Sequence, residues 1–519
     1  MTEVGENSRT TMVDEIRRGA ELYDQRIAFS SEARDLTFAD VETRTNQFAH
    51  LLLDEGLRAG DRAALIYENT LESIVVQWGC MKAGVVPVTI NPKHPPSEIA
   101  RQMNFSRSRN VFVGPETVPA VEALTAASPD ARWWSHGRHD GFVDVEPMIA
   151  TRSVDAPKVG RSLDAEMYQF FGSGTTGMPK CLVETDRRWI DIADQLMVAF
   201  DIPFERTDVM VHIAPVIHAG GTMVLPHYRV GARNLLLPAP SVERIGAALN
   251  GEVNARLLLV PTLLRRLVDG LSPDVCDLRP RHIIVTSSPL NLGLLDEAIA
   301  RVGPVIEQVY GFTEAGPVTI LGSREHLDPL LRASVGRAIR GTEISVRDPS
   351  SRRVVAVGEP GEIWARGPGV FGGYWGTAEL NAGTMRGDGW VSGGDIGVTD
   401  SAGYLWLLGR QHQMIITGGY NVYPATVERA LCEHSSISEA AVVGVPDEHW
   451  GESLHAVLVA RGETPTIDEL VAHMRARVAR FEVPKHWTFV DELPKSANGK
   501  VLYDDVKAPY WVGVGRRIH

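Results

Sequence analysis

The chain has 519 residues, more than one hydrophobic core usually supports, so at least two domains are expected. Its formal net charge of -13 excludes a general nucleic-acid binder, because phosphate contacts require clustered lysine and arginine. The four cysteines lie far apart without a CxxC pair, which argues against a cysteine-based metal site or a disulfide framework. The sequence shows neither a signal peptide nor an apolar run long enough for a membrane span, so we expect a cytoplasmic protein.

The first two-thirds of the chain alternate short apolar runs with amphipathic stretches. This alternation predicts α/β layers with largely parallel sheets. The predicted strands are 63–67, 85–90, 257–260, 282–286 and 305–310, and the predicted helices are 70–82, 262–269 and 292–301. From about Gly341 the pattern changes to short alternating strands at 343–347, 362–366 and 404–408, separated by Gly/Pro turns. This change predicts a small, mostly antiparallel subdomain or barrel.

After Gly409 strands and helices alternate again. Helices are predicted at 424–433 and 467–480, and strands at 440–445 and 455–459. We therefore divide the chain into an N-terminal domain, 1–409, and a smaller α+β C-terminal domain, 410–519.

The segment from Phe170 to Lys180 has the sequence FFGSGTTGMPK, which is rich in small and hydroxyl residues. Glycine lets backbone N–H groups converge without obstruction by Cβ atoms. The hydroxyl donors are Ser173, Thr175 and Thr176, the glycines include Gly174 and Gly177, and Lys180 adds a cation in a chain with only eight lysines. These groups suit the β- and γ-phosphates of a nucleotide, although a polar turn is the plainer alternative.

Four further segments follow this loop along the chain. They are YGFTE at 310–314, WVSGGD at 390–395, GRQH at 409–412 with GGYNVYP at 418–424, and PKSANGK at 494–500. With the first loop, they resemble in order the signature motifs of the adenylate-forming superfamily of acyl-CoA synthetases, peptide-synthetase adenylation domains and luciferases. The resemblance extends over roughly residues 37–502, and five ordered matches make chance a poor explanation.

The resemblance implies a fold and an activity. The expected fold is a large N-terminal domain of two α/β sheet subdomains plus a small β-rich subdomain, followed by a smaller, mobile α+β C-terminal domain. The expected activity has two half-reactions: attack of a carboxylic acid on the α-phosphate of ATP, then attack of a thiol on the acyl-AMP. The C-terminal domain would rotate between them about a hinge at 410–412.

The resemblance also implies roles for individual residues. Residues 173–177 and Lys180 would bind phosphates, Tyr310 would stack on adenine within the segment that includes Gly311 and Phe312, and Thr313 would donate to the α-phosphate. Glu314 would bind Mg²⁺, a hard cation that takes carboxylate and phosphate oxygens. Asp395, supported by Arg410, would accept both ribose hydroxyls. Lys500 would bridge the substrate carboxylate and the α-phosphate.

Three further segments would line the acyl and thiol sites. His218 would gate the acyl pocket, and Ser287, Ser288 and Pro289 would lie beside the adenine and the acyl group. Gly418 and Gly419 would line the tunnel for the thiol. The GGYNV sequence favours free coenzyme A as the thiol, and a medium, aryl or polycyclic acid is the expected substrate.

Cys181, Gly393, His412 and Tyr503 depart from the family pattern. Gly393 lacks a hydroxyl near the nucleotide, and Cys181 adds bulk beside the phosphate loop. One alternative is therefore a divided reaction, in which only the thioester is formed from an acyl-adenylate made elsewhere. A stand-alone enzyme that loads a carrier protein and a non-catalytic nucleotide sensor are two others. If the protein is oligomeric, a homodimer is the commonest form.

Overall fold

The computed structural model describes residues 10–172, 180–216, 219–238, 241–249, 254–270, 280–288, 290–385, 387–418, 420–447, 449–496 and 500–511. The strands are β1 Ile27–Ser30, β2 Asp35–Thr37, β3 Arg62–Ile66, β4 Val86–Thr89, β5 Asn110–Val113, β6 Arg132–Ser135, β7 Val143–Asp144, β8 Glu166–Phe171, β9 Cys181–Thr185, β10 Val209–His212, β11 Arg233–Leu236, β12 Ala255–Leu259, β13 His282–Thr286, β14 Ile306–Phe312, β15 Gly316–Leu321, β16 Arg337–Ala338, β17 Glu343–Arg347, β18 Gly361–Arg366, β19 Val391–Thr399, β20 Leu405–Arg410, β21 Ile415–Thr417, β22 Tyr420–Val422, β23 Ile437–Asp447, β24 Gly451–Ala460 and β25 His486–Phe489. The helices are α1 Met12–Tyr23, α2 Phe38–Asp54, α3 Leu71–Lys82, α4 Pro96–Ser106, α5 Val118–Ala127, α6 Glu146–Ile149, α7 Asp186–Ala199, α8 Val224–Arg229, α9 Val242–Leu249, α10 Pro261–Gly270, α11 Leu292–Val302, α12 Ala378–Thr384, α13 Pro424–Cys432, α14 Ile467–Arg475 and α15 Tyr503–Lys507.

A seven-stranded sheet supports the segment with the predicted phosphate loop. Its order is β7-β6-β5-β3-β4-β8-β9, and every neighbouring pair is parallel except the last. Strands β8 and β9 run antiparallel, and the Gly172 N–H donates to the Lys180 carbonyl at 2.9 Å. The two ends of the predicted loop are therefore held together at the end of β8.

A nine-stranded sheet contains the strand that ends in YGF. Its order is β16-β15-β14-β13-β12-β10-β11-β1-β2, with parallel pairing from β14 to β1 and antiparallel pairing at both margins. All five residues of β12 are buried, as expected for a parallel strand covered on both faces. This α/β architecture confirms the predicted fold class.

The β-rich region is an open four-stranded antiparallel sheet, β17-β18-β19-β20, rather than a barrel. One core cluster joins it to the two large sheets, with Phe29 from the nine-stranded sheet, Phe112 from the seven-stranded sheet and Ile363 from the small sheet. The remaining strands, β21 to β25, form a five-stranded sheet with apolar clusters of their own. Among the described helices, none combines the length and apolar character needed to cross a membrane.

Helix α14 ends at Arg475, five residues before the end predicted from its amphipathic pattern. The carboxylate of Glu482 accepts the Ala479 N–H at 2.8 Å, and Ala479 has extended backbone. A new single turn of 3₁₀ helix, Arg480–Glu482, begins there. A local side-chain cap therefore competes with continuation of the helix, which periodicity alone does not reveal.

Candidate active site

Three of the predicted site residues meet where the nine-stranded sheet adjoins the small antiparallel sheet. Asp395 on β19 is paired in register with Arg410 at the end of β20, so the two side chains are neighbours. Arg410 Nε donates to Asp395 Oδ1 at 3.1 Å, and the Tyr310 hydroxyl donates to Oδ2 at 3.0 Å. Burial, followed by the Asp395 charge, holds the pKa of Tyr310 well above its ordinary value, so this hydroxyl remains a donor. A carboxylate has about four acceptor positions, so Asp395 retains acceptor capacity for a ligand.

Lys500 comes from the C-terminal part of the chain and lies within electrostatic reach of this cluster. Burial and then the charge of Arg410 lower the pKa of Lys500, while Asp395 and Glu314 oppose that shift. The structure thus brings together Asp395, Arg410, Glu314 and Lys500, which are distant in sequence. Two carboxylates and two cations therefore share one electrostatic environment.

Thr313 and Glu314 form the turn between β14 and β15, and a buried arginine supports that turn. Arg188, near the start of α7, donates through Nη2 to the Thr313 carbonyl and through Nε to the Gly369 carbonyl, each at 2.7 Å. Its Nη1 also pairs with Glu184 on β9, four residues earlier in the chain. Arg188 therefore couples the strand after the predicted phosphate loop to the turn that carries Thr313.

The carboxylate of Glu314 accepts a hydrogen bond from the Tyr374 hydroxyl. Tyr374 is held in turn by Asn381 Oδ1, which accepts its backbone N–H at 2.7 Å, and by a bridge to Leu182 on β9. Among the described residues, no three His, Cys, Asp or Glu side chains converge as a metal site. A cation at Glu314 would therefore need further oxygen ligands from phosphate and water, which is the coordination that Mg²⁺ usually adopts.

Two glycines allow the YGFTE segment to approach its neighbours closely. A Cβ on Gly311 would lie 2.1 Å from the Gly316 carbonyl oxygen, at the irregular pairing between β14 and β15. A Cβ on Gly393 would lie 2.8 Å from Cγ of Phe312. The Phe312 ring thus occupies the space into which a side chain at position 393 would project. This contact gives a packing reason for one of the four departures from the family pattern.

The Gly393→Ser substitution is expected to destabilise the protein by about 1–3 kcal/mol, because the added side chain overpacks against Phe312. Adding Phe312→Leu to Gly393→Ser should restore much of the loss, since the smaller side chain vacates the contact. Chemical denaturation of the single and double variants measures both effects. Equal stability of Gly393→Ser and the unsubstituted protein would contradict the packing explanation.

Cys181, another departure, begins β9 and is buried with Ile90 and Phe171 in the core of the seven-stranded sheet. Its thiol donates to Gln169 Oε1 at 3.3 Å, and burial raises its pKa. The extra side chain is therefore accommodated inside the sheet. Lys180, just before it, is half-buried at the end of the predicted loop.

Ser287 and Ser288 directly follow β13, at the carboxyl end of a parallel strand. Ser287 has a φ of 76°, in the left-handed region where a non-glycine residue is uncommon. Such strain is frequent at functional sites of α/β proteins. On the C-terminal sheet, Gly418 has a φ of 56°, and a Cβ there would lie 2.3 Å from the Trp450 ring. Trp450 therefore lies directly against Gly418, one of the two glycines predicted to line the thiol tunnel.

Several predicted site residues lie outside the described parts of the chain. They are Ser173, Gly174, Thr175, Thr176, Gly177, His218, Pro289 and Gly419. Asn69, which the sequence analysis missed, is buried beside the segment leading to His218. Its side chain donates to the carbonyls of His212 and Ala214 at 3.1 and 3.0 Å and accepts the Val216 N–H at 2.9 Å. Asn69 thereby connects the end of β3 to the segment after β10.

Comparisons with known proteins identify the family of this chain. A family profile described as "AMP-binding enzyme" matches residues 16–375, and one described as "AMP-binding enzyme C-terminal domain" matches residues 426–500. The chain therefore belongs to the AMP-binding enzyme family, within the adenylate-forming superfamily, and the predicted resemblance is confirmed. It is an ATP-dependent acid–thiol ligase.

Individual relatives are similar over nearly their whole length. The chain is 32% identical over 478 residues to a feruloyl-CoA synthase of Amycolatopsis sp., covering 91% of this chain and 93% of that protein. It is 29% identical over 504 residues to the fatty acid–[acyl-carrier-protein] ligase ScoC of Streptomyces coeruleorubidus, covering 94% of each. The crystal structure of ATP-bound MatB from Rhodopseudomonas palustris has a TM-score of 0.86 at 27% identity, covering 96% of this chain and 99% of that chain.

Proposed function

We propose that this enzyme forms an acyl-adenylate from ATP and a hydrophobic carboxylic acid and transfers the acyl group to coenzyme A. The observation that carries the proposal is the position of Lys500 within electrostatic reach of Glu314 and the Asp395–Arg410 pair. A lysine among these groups suits a reaction in which a carboxylate attacks a phosphate, because both reactants are anionic. A nucleotide sensor needs no such lysine.

Each residue of the cluster has a role in this proposal. Asp395 accepts the ribose hydroxyls, with Arg410 and the Tyr310 hydroxyl fixing its carboxylate. The Tyr310 ring borders the adenine, and Thr313 donates to the α-phosphate. Lys500 neutralises charge as the acid attacks the α-phosphorus. Residues 173–177 and Lys180 bind the remaining phosphates, from the end of a parallel strand where such ligands commonly bind.

Magnesium would be held by Glu314 together with phosphate oxygens and water. Bound there, the cation would supply additional positive charge at the phosphates. The chain's own contribution is orientation, because Tyr374 donates to the Glu314 carboxylate and Arg188 supports the adjoining Thr313 carbonyl. These contacts keep the Thr313–Glu314 turn in place before ATP binds.

The second half-reaction requires Lys500 to leave the site, and we propose that residues 410–519 rotate as a domain about a hinge at 410–412. Among the described residues, two polar contacts outside the hinge illustrate what the rotation would break. Arg461 pairs with Glu297 on α11 at 3.0 Å, and Asn291 donates to the Cys432 carbonyl at 3.4 Å. Exposed ion pairs of this kind usually contribute less than about 1 kcal/mol, so breaking this pair opposes the rotation only weakly.

Coenzyme A is the proposed thiol because the surface beside Gly418 carries exposed aromatic rings and a lysine. Tyr420 is 55% exposed and stacks on Phe481, with ring centroids 4.4 Å apart. Lys485 Nζ lies 4.8 Å from the Trp450 ring, which is 42% exposed. Exposed aromatic rings suit adenine stacking, and the Lys485 ammonium, which pairs with Asp447 at 3.2 Å, is close enough to the surface to suit phosphate, so this surface matches the nucleotide end of coenzyme A.

The Phe481→Ala and Lys485→Ala substitutions are expected to lower kcat/KM for coenzyme A by about tenfold each, because each removes one contact to the nucleotide end. Pantetheine lacks that end, so kcat/KM for pantetheine should stay nearly constant. Steady-state kinetics with both thiols measures the difference, with Lys158→Ala as an exposed-lysine control. Parallel losses with both thiols would remove this surface from coenzyme A binding.

A second candidate is transfer of the acyl group to a carrier protein, which the similarity to the carrier-protein ligase ScoC favours. The test of function is a panel of alkyl, benzoic and cinnamic acids assayed for ATP–pyrophosphate exchange and for coenzyme A thioester. Exchange with thioester supports the main proposal, and exchange without thioester supports carrier loading. Thioester only from supplied acyl-adenylate supports the divided reaction, and AMP binding with neither activity supports a sensor.

A further inference from the structure

The loop that carries Lys500 is a narrow hairpin. Leu502 N–H donates to the Pro494 carbonyl at 2.9 Å and Ser496 N–H to the Lys500 carbonyl at 2.8 Å. Lys500 N–H donates to the Ser496 hydroxyl at 3.2 Å. The two arms are therefore paired, so the position of Lys500 depends on what anchors the arms to the rest of the chain.

Among the described contacts, each arm has a polar anchor in the C-terminal region of the chain. On the first arm, Lys495 pairs with Glu439 of β23 at 2.6 Å. Just after the second arm, the Tyr503 hydroxyl lies 3.0 and 2.9 Å from the two carboxyl oxygens of Glu428 on α13. Glu428 also accepts the Val442 N–H of β23 at 2.8 Å. A single carboxyl group therefore joins α13, β23 and the hairpin.

We propose that Glu428 and Tyr503 are positioning residues that hold the Lys500 hairpin for acyl-adenylate formation, and that ionisation of Glu428 loosens this anchor. The inference rests on the proposed function, because it assigns Lys500 to the first half-reaction. Neither residue contacts the reacting atoms, so both act through Lys500. Tyr503 is one of the departures from the family pattern, and its hydroxyl contacts the Glu428 carboxyl group. This anchor is neutral when Glu428 is protonated and charged when Glu428 ionises.

The surroundings of Glu428 explain why its charge matters. Tyr503 from α15 and Cys432 from the next turn of α13 face Glu428. Farther out, Glu439 and Arg461 face Cys432, and Arg410 at the end of β20 faces Tyr503. Lys495 already pairs with Glu439, Arg410 with Asp395 and Arg461 with Glu297. Among the described contacts, Glu428 therefore receives two neutral donors and no cation.

Burial raises the pKa of Glu428 to about 7, against the opposing hydrogen bonds from Val442 and Tyr503. An unfolded glutamate titrates near 4.3, so the folded state binds the extra proton between that pH and about 7. The contribution of Glu428 to the free energy of unfolding is therefore complete below about pH 4.3. It declines as the pH rises through this window and is lost above about pH 7. In the anchored hairpin Glu428 ionises as the pH rises through about 7, so loosening is expected around and above that pH.

The test is the pH profile of ATP–pyrophosphate exchange for the unsubstituted enzyme, Glu428→Gln and the control Glu433→Gln, which lies just beyond the end of α13. Relative to Glu428→Gln, the unsubstituted enzyme and the control should lose about tenfold in kcat between pH 6.5 and 8.5. Thioester formation from supplied acyl-adenylate should show no such difference. Identical profiles for all three proteins would overturn the inference while leaving the proposed function intact.

A second measurement does not depend on activity. Hydrogen–deuterium exchange of the peptide containing residues 494–503 is compared between variants at each pH, so that intrinsic exchange rates cancel. At pH 8.5 the unsubstituted protein should exchange faster than Glu428→Gln, and Tyr503→Phe should exchange faster already at pH 6.5. Equal protection in all proteins would overturn the anchor. Absence of pyrophosphate exchange with every acid would overturn the proposed function and this inference together.

Discussion

Replacement of Lys500 by alanine is expected to lower acyl-adenylate formation by about 10²–10³-fold, because the variant loses the cation that offsets the charge of the two anionic reactants. The loss should appear in kcat for ATP–pyrophosphate exchange. Thioester formation from supplied acyl-adenylate should change little, since the proposed rotation removes Lys500 from the site in that step. The two half-reactions are therefore measured separately on the same protein.

Lys158→Ala is the matched control, because Lys158 is exposed and lies outside every motif. It should leave both half-reactions unchanged. An equal loss of both half-reactions in Lys500→Ala would contradict the role assigned to this lysine. It would indicate that Lys500 supports the site as a whole rather than one orientation of the C-terminal domain.

Asp395→Asn is expected to weaken ATP binding by about two orders of magnitude. The ribose would lose hydrogen bonds to a charged acceptor, each worth about 1.5–3 kcal/mol, and Tyr310 and Arg410 would lose their shared partner. KM for ATP in pyrophosphate exchange measures the effect. The penalty for 2′-deoxy-ATP relative to ATP should also shrink in the variant, because the missing hydroxyl no longer has a carboxylate to contact.

The control for this prediction is Asp164→Asn, which removes an exposed carboxylate paired with Arg187. This variant should retain the discrimination between ATP and its deoxy analogue. If Asp395→Asn discriminated against 2′-deoxy-ATP as strongly as the unsubstituted protein, Asp395 would not be the ribose acceptor.

The candidate-site residues that belong to contiguous sequence motifs could be predicted, because each motif combines a backbone requirement with a chemical group. Gly311 permits the approach of Gly316, and Thr313 and Glu314 follow in the same turn. Strands were also predictable where they are long and apolar, as in β13. Strands β7 and β16 contain only two residues each, too few for any periodic pattern.

The supporting residues could not be predicted, because their partners are remote in sequence. Arg188 and Thr313 are 125 residues apart, Asn69 and His212 are 143 apart, and Tyr374 and Glu314 are 60 apart. Neither periodicity nor a motif connects the members of such pairs. Only the fold shows that these buried polar groups satisfy one another around the site.

The most direct test of the central claim uses the most active carboxylic acid from the panel, labelled with ¹⁸O in both carboxyl oxygens. If the acid attacks the α-phosphate, coenzyme A then expels AMP that retains one carboxylate oxygen. Mass spectrometry of a complete turnover should therefore find one ¹⁸O in AMP and none in pyrophosphate. Unlabelled AMP, or label in inorganic phosphate together with ADP, would contradict an acyl-adenylate mechanism.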